Sequence, residues 1–269
     1  MTEHVKVEKL LTYPLKSGRP VELSEAELTG FGLRDDRRFA LADPNGDFVS
    51  LRTCPELVHL GCELIEERWQ LSWGDEPGPK LELPERLERR LALEIWGDTV
   101  NVGICDQEVA DWISERAERP LRIVAFDQVS TRQVDLAYSA PGTSTMLSDG
   151  FPVLLTSVES HRQLDAWAGS SLELGRMRPN LVVSGGAPFE EDSWVRLEGP
   201  EVTIDLVKPC ARCVATTVCP KTGQRGGEPL KTLSVHRKVG NEVHFGQNAI
   251  VVREGIVRVG EVLTITIRR

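Results

Sequence analysis

The chain has 269 residues, of which 40% are hydrophobic and 27% charged, a balance typical of a soluble globular protein with a substantial core. Its net charge of −9 argues against a nucleic-acid surface, and the lack of any apolar run near the roughly 20 residues of a spanning helix excludes a membrane span. The amino terminus, MTEHVK, lacks a secretory layout, so we expect a cytoplasmic protein with reduced cysteines.

Strand patterns outnumber helix patterns along the chain. Short alternating runs between turn residues predict strands at HVKVEKLLTYP, RRFALADPNGDFVSLRT, DTVNVGI, EVTIDLVKP and VLTITI. The second run is typical of a hairpin that turns at Pro-Asn-Gly, residues 44–46. We therefore predict a mixed α/β, β-dominated protein.

Two helices are predicted. The first begins at a capping residue, Asp106, and runs through DQEVADWISERAER. Its apolar positions share one helix face: Val109, Trp112 and Ile113. The second starts at Thr156, with Glu159 at capping-box spacing, and ends at Gly169.

The region between the helices predicts the domain organisation. Residues 130–150, STRQVDLAYSAPGTSTMLSDG, show no periodicity, which predicts a long surface loop that folds over a site. The helix end and the proline at residues 119–120 indicate a boundary there. We expect two packed units, a β-barrel-like domain at 1–120 and a larger barrel with a few helices at 121–269.

The most distinctive stretch is VKPCARCVATTVCPKTG, residues 207–223, which holds Cys210, Cys213 and Cys219 after a predicted strand. A structural zinc site needs four ligands, and no second pair has zinc spacing. A thioredoxin-like pair opens a helix, whereas the Val-Ala-Thr-Thr-Val that follows Cys213 favours a strand. These readings stay open, as does inert burial of Cys210 and Cys219.

Cys213 differs from the other thiols in its charged neighbours. Arg212 stands beside it and Lys208 is near in sequence, and adjacent cations favour the thiolate that binds a soft metal or attacks an electrophile. We expect the remaining thiols to be buried and inert: Cys54, Cys62 and Cys105.

The cysteine stretch resembles the signature of the MOSC family, the molybdenum-cofactor sulfurase carboxy-terminal domain, in which the second cysteine of a C-x-R-C segment ligates molybdenum. Further stretches resemble, in the same order, blocks of members with an amino-terminal MOSC-associated β-barrel: YPLKS (13–17), DRRF (36–39), SLRT (50–53), GRMRPN (175–180) and FGQNAIV (245–251). The similarity spans nearly the whole chain and is best to amidoxime-reducing components and bacterial YcbX-type relatives.

The resemblance implies a molybdenum-cofactor site between the two units, with Cys213 as the metal ligand and catalytic thiolate. The implied cofactor-binding residues are Lys16, Ser17, Arg38, Arg52, Thr156, Ser157, Arg176, Arg178, Asn180 and Arg212. Arginine offers the forked donors that suit phosphate and ring oxygens. Thr156 and Ser157 also stand at a predicted helix start, where free amides suit a phosphate.

Two departures from the family pattern bear on function. Cys219 stands where relatives carry an acid. YcbX-type relatives append a ferredoxin-like domain, whereas this chain ends at Arg269 and lacks the cysteine spacing of a plant-type cluster. We therefore expect no iron–sulfur cluster in this chain and a separate electron donor, which would be a ferredoxin-like protein, a flavoprotein or a cytochrome.

The function implied by the resemblance is a molybdenum-dependent reductase of small N-hydroxylated substrates, such as amidoximes, hydroxylamines and hydroxylated nucleobases. An alternative is a sulfur-carrier or cofactor-delivery module in which Cys213 holds a persulfide or the cofactor in passing. A third is a non-catalytic binding module. Nothing in the sequence selects a proton donor among Asp127, Asp149 and Glu190.

Overall fold

Strand dominates the regular structure, at 43% against 16% helix. The computed structural model describes residues 2–269. Its strands there are β1 (His4–Thr12), β2 (Val21–Leu23), β3 (Glu25–Thr29), β4 (Gly32–Leu33), β5 (Phe39–Ala42), β6 (Phe48–Val49), β7 (Leu60–Ile65), β8 (Arg68–Trp73), β9 (Glu76–Leu81), β10 (Arg90–Ile95), β11 (Asp98–Ile104), β12 (Arg122–Ala125), β13 (Val153–Ser157), β14 (Leu181–Ser184), β15 (Trp194–Glu198), β16 (Thr203–Ala211), β17 (Lys238–Val239), β18 (Glu242–Arg253), β19 (Gly255–Arg258) and β20 (Val262–Arg268). The helices are α1 (Gln107–Arg116), α2 (Val158–Ala168) and α3 (Leu230–His236).

Seven strands close into a barrel. Their order is β13-β14-β1-β20-β15-β16-β18, and β18 pairs back with β13. Six of these strands follow residue 150, whereas β1 comes from the amino terminus and pairs antiparallel with β14 and β20. Val5, Val7 and Leu10 of β1 are at most 1% exposed and belong to the same core cluster as Trp194. The amino-terminal strand is thus an integral part of the barrel.

The second unit packs a five-stranded sheet, β10-β11-β12-β5-β6, with a three-stranded sheet, β7-β8-β9. The predicted hairpin is confirmed, since Leu41 of β5 lies opposite Val49 of β6 and Gly46 adopts the left-handed conformation that its turn requires. Helix α1 follows Asp106 as predicted and buries Val109 and Ile113. The predicted β-dominated fold of two packed units is confirmed.

Three local predictions need correction. Thr156 is still part of β13, and Ser157 caps α2 by accepting a hydrogen bond from the Ser160 amide at 3.1 Å. The residues after Cys213 form a 3₁₀ turn, Val214–Thr217, and not a strand, because the Thr216 amide bonds back to the Cys213 carbonyl. The loop at 130–150 is not wholly superficial, since Val134 and Leu147 are fully buried.

Strand pairing crosses the predicted boundary at residue 120. β12 follows residue 120 but pairs with β5 and β11 in the five-stranded sheet. Conversely, β1 pairs with β14 and β3 pairs with β19, two strands of the carboxy-terminal half. The division into 1–120 and 121–269 stays a prediction. Over residues 2–269, none of the helices combines the length and the hydrophobicity that crossing a membrane demands.

The barrel core makes a stability prediction for β1. Leu10→Ala should lower the free energy of unfolding by about 2–5 kcal/mol, because it leaves a cavity at a fully buried position of the core. Lys6→Ala on the same strand, whose side chain is 53% exposed, should change it by no more than about 0.5 kcal/mol. Urea denaturation measures both. Equal effects would contradict the placement of β1 in the barrel.

Candidate functional site

A cavity of about 280 Å³ lies where the barrel meets the amino-terminal sheets. The first half of the chain contributes Lys16, Ser17, Arg37, Phe48, Ser50, Leu51, Arg52 and Trp96. The second half contributes Ser148, Asp149, Gly150, Phe151, Leu154, Arg176, Met177, Arg178, Asn180, Lys208, Cys210, Ala211, Arg212, Cys213, Ala215, Thr216 and Asn248. The structure therefore brings Lys16 and Cys213 to one cavity.

Three residues of the cavity wall adopt left-handed backbone conformations although none is glycine. Their φ angles are 72° at Ser17, 52° at Arg37 and 53° at Arg178. Such conformations are strained for residues with a Cβ and cluster at functional sites. A hydrogen bond holds each of them: the Ser17 Oγ accepts from the Leu51 amide at 3.2 Å, the Arg37 amide donates to the Tyr13 carbonyl at 2.8 Å, and the Arg178 amide donates to the Gly175 carbonyl at 3.2 Å.

Two guanidinium groups enclose the fully buried ring of Tyr13. Arg37 and Arg178 each lie 4.2 Å from its centroid. Arg178 Nη1 donates to the Gly18 carbonyl at 2.8 Å, and Arg37 Nη2 donates to the Arg178 carbonyl at 3.1 Å. Burial lowers the pKa of Arg178 to about 10 and raises the pKa of Tyr13 to about 12, since each shift favours the neutral form. The cluster holds Arg178 against the cavity.

Lys16 and Asp149 form an ion pair at the cavity wall. Lys16 Nζ lies 2.5 Å from Asp149 Oδ1 and also donates to the Leu147 carbonyl at 2.8 Å. The Lys16 side chain is 7% exposed and that of Asp149 is 73% exposed, so Asp149 is the member that faces the opening. Burial lowers the pKa of Lys16, against the opposing effect of Asp149. Desolvation alone raises the pKa of Asp149, but Lys16 and the Trp96 indole N–H outweigh it and hold that pKa well below its usual range.

Both cysteines of the Cys-x-x-Cys pair line the cavity, but Arg212 lies against the first one. Its Nη1 is 2.9 Å from Cys210 Sγ, and its Nη2 donates to the Met177 carbonyl at 2.8 Å. The Arg212 guanidinium therefore contacts the Cys210 thiol, and its influence on the Cys213 thiol stays a prediction. Cys213 lies two residues after β16 and directly before the 3₁₀ turn, and it lines the cavity.

Two further arginines of the predicted set, Arg52 and Arg176, also line the cavity. Arg52 stacks on the Trp96 ring at 4.0 Å and, across residues 2–269, forms no salt bridge within 4.0 Å. Arg176 is already engaged, with Nε 2.8 Å from Glu173 and Nη1 donating to the Thr217 carbonyl at 3.1 Å. Arg52 is therefore the more available cation of the two.

Asn180 borders the cavity and also fastens strands together. Its Nδ2 donates to the Leu11 carbonyl on β1, and its Oδ1 accepts the Leu154 amide on β13, both at 3.1 Å. This side chain is 2% exposed. Its direct contribution is to hold β1 and β13 in register beside the site.

Three predicted residues do not reach the cavity. Arg38 pairs with Asp35, and its neighbour Arg37 lines the cavity, because Arg37 lies in the turn before β5 and has a left-handed backbone conformation. Thr156 bonds His161 at 3.1 Å, and Ser157 bonds Ser160 and Glu191. Since both hydroxyls are buried and occupied, neither is free for a cofactor.

Sequence reasoning missed several cavity residues: Arg37, Phe48, Trp96, Phe151 and Asn248. Arg37 is adjacent to the predicted residue Arg38, so the DRRF stretch already indicated this part of the site. Of the three candidate proton donors only Asp149 borders the cavity, because Asp127 is bound to Arg90 and Ser130, and Glu190 to Thr2.

The remaining thiols divide as expected. Burial raises the pKa of Cys54 to about 11 and that of Cys105 to about 12, and it also raises the pKa of Cys62, so all three stay protonated. Cys219 lies outside the cavity lining; burial raises its pKa, but hydrogen bonds from Thr222 and the backbone outweigh this and lower it.

Comparisons with known proteins agree with this architecture. Residues 4–120 match the MOSC N-terminal beta barrel domain, and residues 142–264 match the MOSC domain. The chain belongs to the MOSC family. It is 30% identical to the human mitochondrial amidoxime-reducing component 1 and 31% identical to the rat mitochondrial amidoxime reducing component 2, over 95% of this chain and 81% of each relative.

One solved structure is a more distant match. The YUAD protein of Bacillus subtilis is 11% identical, over 98% of this chain and 96% of that one, with a TM-score of 0.46. That score is too low to establish a shared fold.

The Tyr13 cluster makes a titration prediction for this MOSC-family protein. The chain has two tyrosines, so in a Tyr138→Phe variant the one remaining phenol is Tyr13. Its absorbance change should have a midpoint near pH 12, because burial disfavours the phenolate. The unfolded chain releases the same proton near pH 10, so stability should fall as pH rises from 10 towards 12. Tyr13→Phe should lack this loss, and a Tyr13 midpoint near 10 in folded protein would contradict the burial.

Proposed function

We propose that this protein binds a molybdenum cofactor and reduces N-hydroxylated compounds to the parent nitrogen compound and water. The observation that carries the proposal is one cavity that combines the Cys213 thiol with several cationic side chains, in a chain of net charge −9. Its relatives named amidoxime-reducing components support the reaction type. Two electrons would come from a separate donor protein.

The donors around the cavity fit a molybdenum pterin, which carries a phosphate and needs one soft protein ligand. Within residues 2–269, Arg178 Nη2 and Arg212 Nε are buried and lack a hydrogen-bond partner. A buried guanidinium N–H without an acceptor is costly, so these atoms favour an anionic or carbonyl-rich ligand. Arg52, held flat on Trp96, offers a third guanidinium.

The residues would divide the work by chemistry. Cys213 would hold the metal through its thiolate, while Arg178, Arg37 and Arg52 would bind the phosphate and ring oxygens. When bound, the cofactor would supply the two-electron redox centre for the reduction. The aromatic walls formed by Phe48, Trp96 and Phe151 would orient a flat substrate and exclude water.

The reaction also needs protons, since R–NHOH, two electrons and two protons give R–NH₂ and water. The low pKa of Asp149 keeps it a carboxylate at neutral pH, so the proton of the pair resides on Lys16 Nζ. Because Asp149 faces the opening and stays ionised, it would hold the protonated Lys16 at the cavity wall, where Lys16 Nζ would donate its proton. This pair is our candidate proton store.

Metal and pterin analysis tests the cofactor assignment. Protein purified from a host that makes molybdenum cofactor should contain about one molybdenum per chain, as one thiolate ligand requires, and should show pterin fluorescence after oxidation. A stoichiometric zinc content with neither molybdenum nor pterin would overturn the assignment. A persulfide on Cys213 without molybdenum would support the sulfur-carrier alternative.

The two cavity cysteines should behave differently. Cys213→Ala should abolish hydroxylamine reduction with dithionite as electron donor and should lose molybdenum, because a soft ligand is replaced by solvent. Cys210→Ala should keep most of the hydroxylamine reduction and most of the molybdenum, since it removes only a small thiol that contacts Arg212. Circular dichroism checks that each variant folds. Equal losses would indicate a paired-thiol mechanism instead.

A further inference from the structure

Lys208 is a cation of the cavity wall that has no partner in the protein. Among the Lys and Arg side chains that line the cavity, only Arg52 and Lys208 form neither a salt bridge nor a side-chain hydrogen bond within residues 2–269. Arg52 already has a proposed role towards the cofactor. In the same part of the chain the one carboxylate that lines the cavity is Asp149, which Lys16 and the Trp96 indole engage. Lys208 is therefore free to pair with an anion that enters the cavity.

A β-bulge in β16 turns Lys208 towards the cavity. Leu206 pairs with Ala249 of β18, and both belong to the barrel core. The next pair joins Lys208 to Asn248, which leaves Val207 as an extra residue on β16. Because successive side chains of a strand alternate between its faces, Lys208 would share the core face of Leu206 without this extra residue. The bulge instead places Lys208 on the cavity face, beside Asn248, which also lines the cavity.

Two aromatic rings position the Lys208 ammonium next to a flat surface of the cavity. Lys208 Nζ lies 4.8 Å from the centroid of the Tyr138 ring. Tyr138 in turn packs edge-on against Phe151, with ring centroids 5.9 Å apart, and Phe151 lines the cavity. An ammonium held by a ring face keeps its charge and its N–H donors, so it can still bind an anion. A planar molecule that packs on Phe151 would therefore have a cation beside it.

We propose that Lys208 binds an acidic substituent of the substrate, so that the preferred substrates are flat N-hydroxylated compounds that carry a carboxylate. This inference rests on the proposed function and specifies its substrate class. Phe151 would hold the substrate ring, and the Lys208 ammonium would donate to the carboxylate. A single ammonium matches a singly charged carboxylate, whereas a phosphate dianion favours the forked donors of arginine. The reaction is the one already proposed: an amidoxime, two electrons and two protons give the amidine and water.

The test compares two amidoximes on the holoprotein with dithionite as electron donor. 4-Carboxybenzamidoxime carries the acid, and benzamidoxime lacks it. The ratio of their kcat/KM values should favour the acid in wild type and should fall about tenfold in Lys208→Gln, because one charge-assisted contact is lost. Lys208→Arg should keep most of the preference, since it keeps the charge. In wild type the preference should shrink as salt rises from about 50 to 300 mM.

Direct binding gives a readout that needs no turnover. 4-Carbamoylbenzoate carries the same acid on a ring but has no N-hydroxyl group to reduce. In titration calorimetry, Lys208→Gln should bind it about tenfold more weakly than wild type. A matched control, Lys231→Gln, changes an exposed lysine that does not line the cavity, and it should leave both this affinity and the kcat/KM ratio within about twofold of wild type.

Several outcomes would overturn the acid site. They are an unchanged kcat/KM ratio in Lys208→Gln, an equal fall in Lys231→Gln, and a stronger wild-type preference for 4-phosphonobenzamidoxime than for the carboxylate. Loss of molybdenum from Lys208→Gln would also overturn it, since Lys208 would then hold the cofactor. If wild type contains molybdenum but reduces neither amidoxime, the proposed function fails, while calorimetry with 4-carbamoylbenzoate still decides whether Lys208 binds an acid.

Discussion

The crossing of the chain from the barrel to the amino-terminal sheets is the constraint on which the site depends. β1 lies in the barrel between β14 and β20, and the residues after it pair at once with the start of β5. There the backbone amide of Phe39 donates to the Pro14 carbonyl, and the backbone amide of Lys16 donates to the Phe39 carbonyl, both at 2.8 Å. One continuous stretch therefore joins both units and presents Lys16 and Ser17 at their junction, so the cavity cannot form unless both units do.

Several cationic side chains lie close together at this junction, although like charges repel each other. The guanidinium groups of Arg37 and Arg178 both contact the Tyr13 ring. Asp36 partly neutralises Arg37 through a buried ion pair, in which the Asp36 side chain is 2% exposed and the Arg37 side chain is 11% exposed. No carboxylate among residues 2–269 forms a salt bridge with Arg178, and burial lowers its pKa to about 10. Desolvating a cation without a full counter-charge costs free energy, and an anionic ligand would recover it. The fold thus holds an arrangement that favours an anion before one is bound.

Sequence reasoning found the residues whose positions follow from short stretches. Lys16, Ser17, Arg178 and Cys213 all reach the cavity as predicted. It failed where orientation decided the outcome: Arg37 and Arg38 have the same chemistry, and the backbone turn before β5 alone determines which one faces the site. The role of β1 was also out of reach, since it pairs with β14 more than 170 residues away and no local pattern encodes that partner.

The left-handed residues show why backbone propensity alone does not predict this part of the site. Ser17, Arg37 and Arg178 each cost about 1–3 kcal/mol in backbone strain, which glycine would relieve. Glycine would also remove the hydroxyl that accepts the Leu51 amide and the guanidinium groups that enclose Tyr13. The strain therefore persists because the side chain is needed at a place that only this backbone conformation reaches. Propensity rules assign such positions to glycine or asparagine, so they point away from the residues that matter most in this cavity.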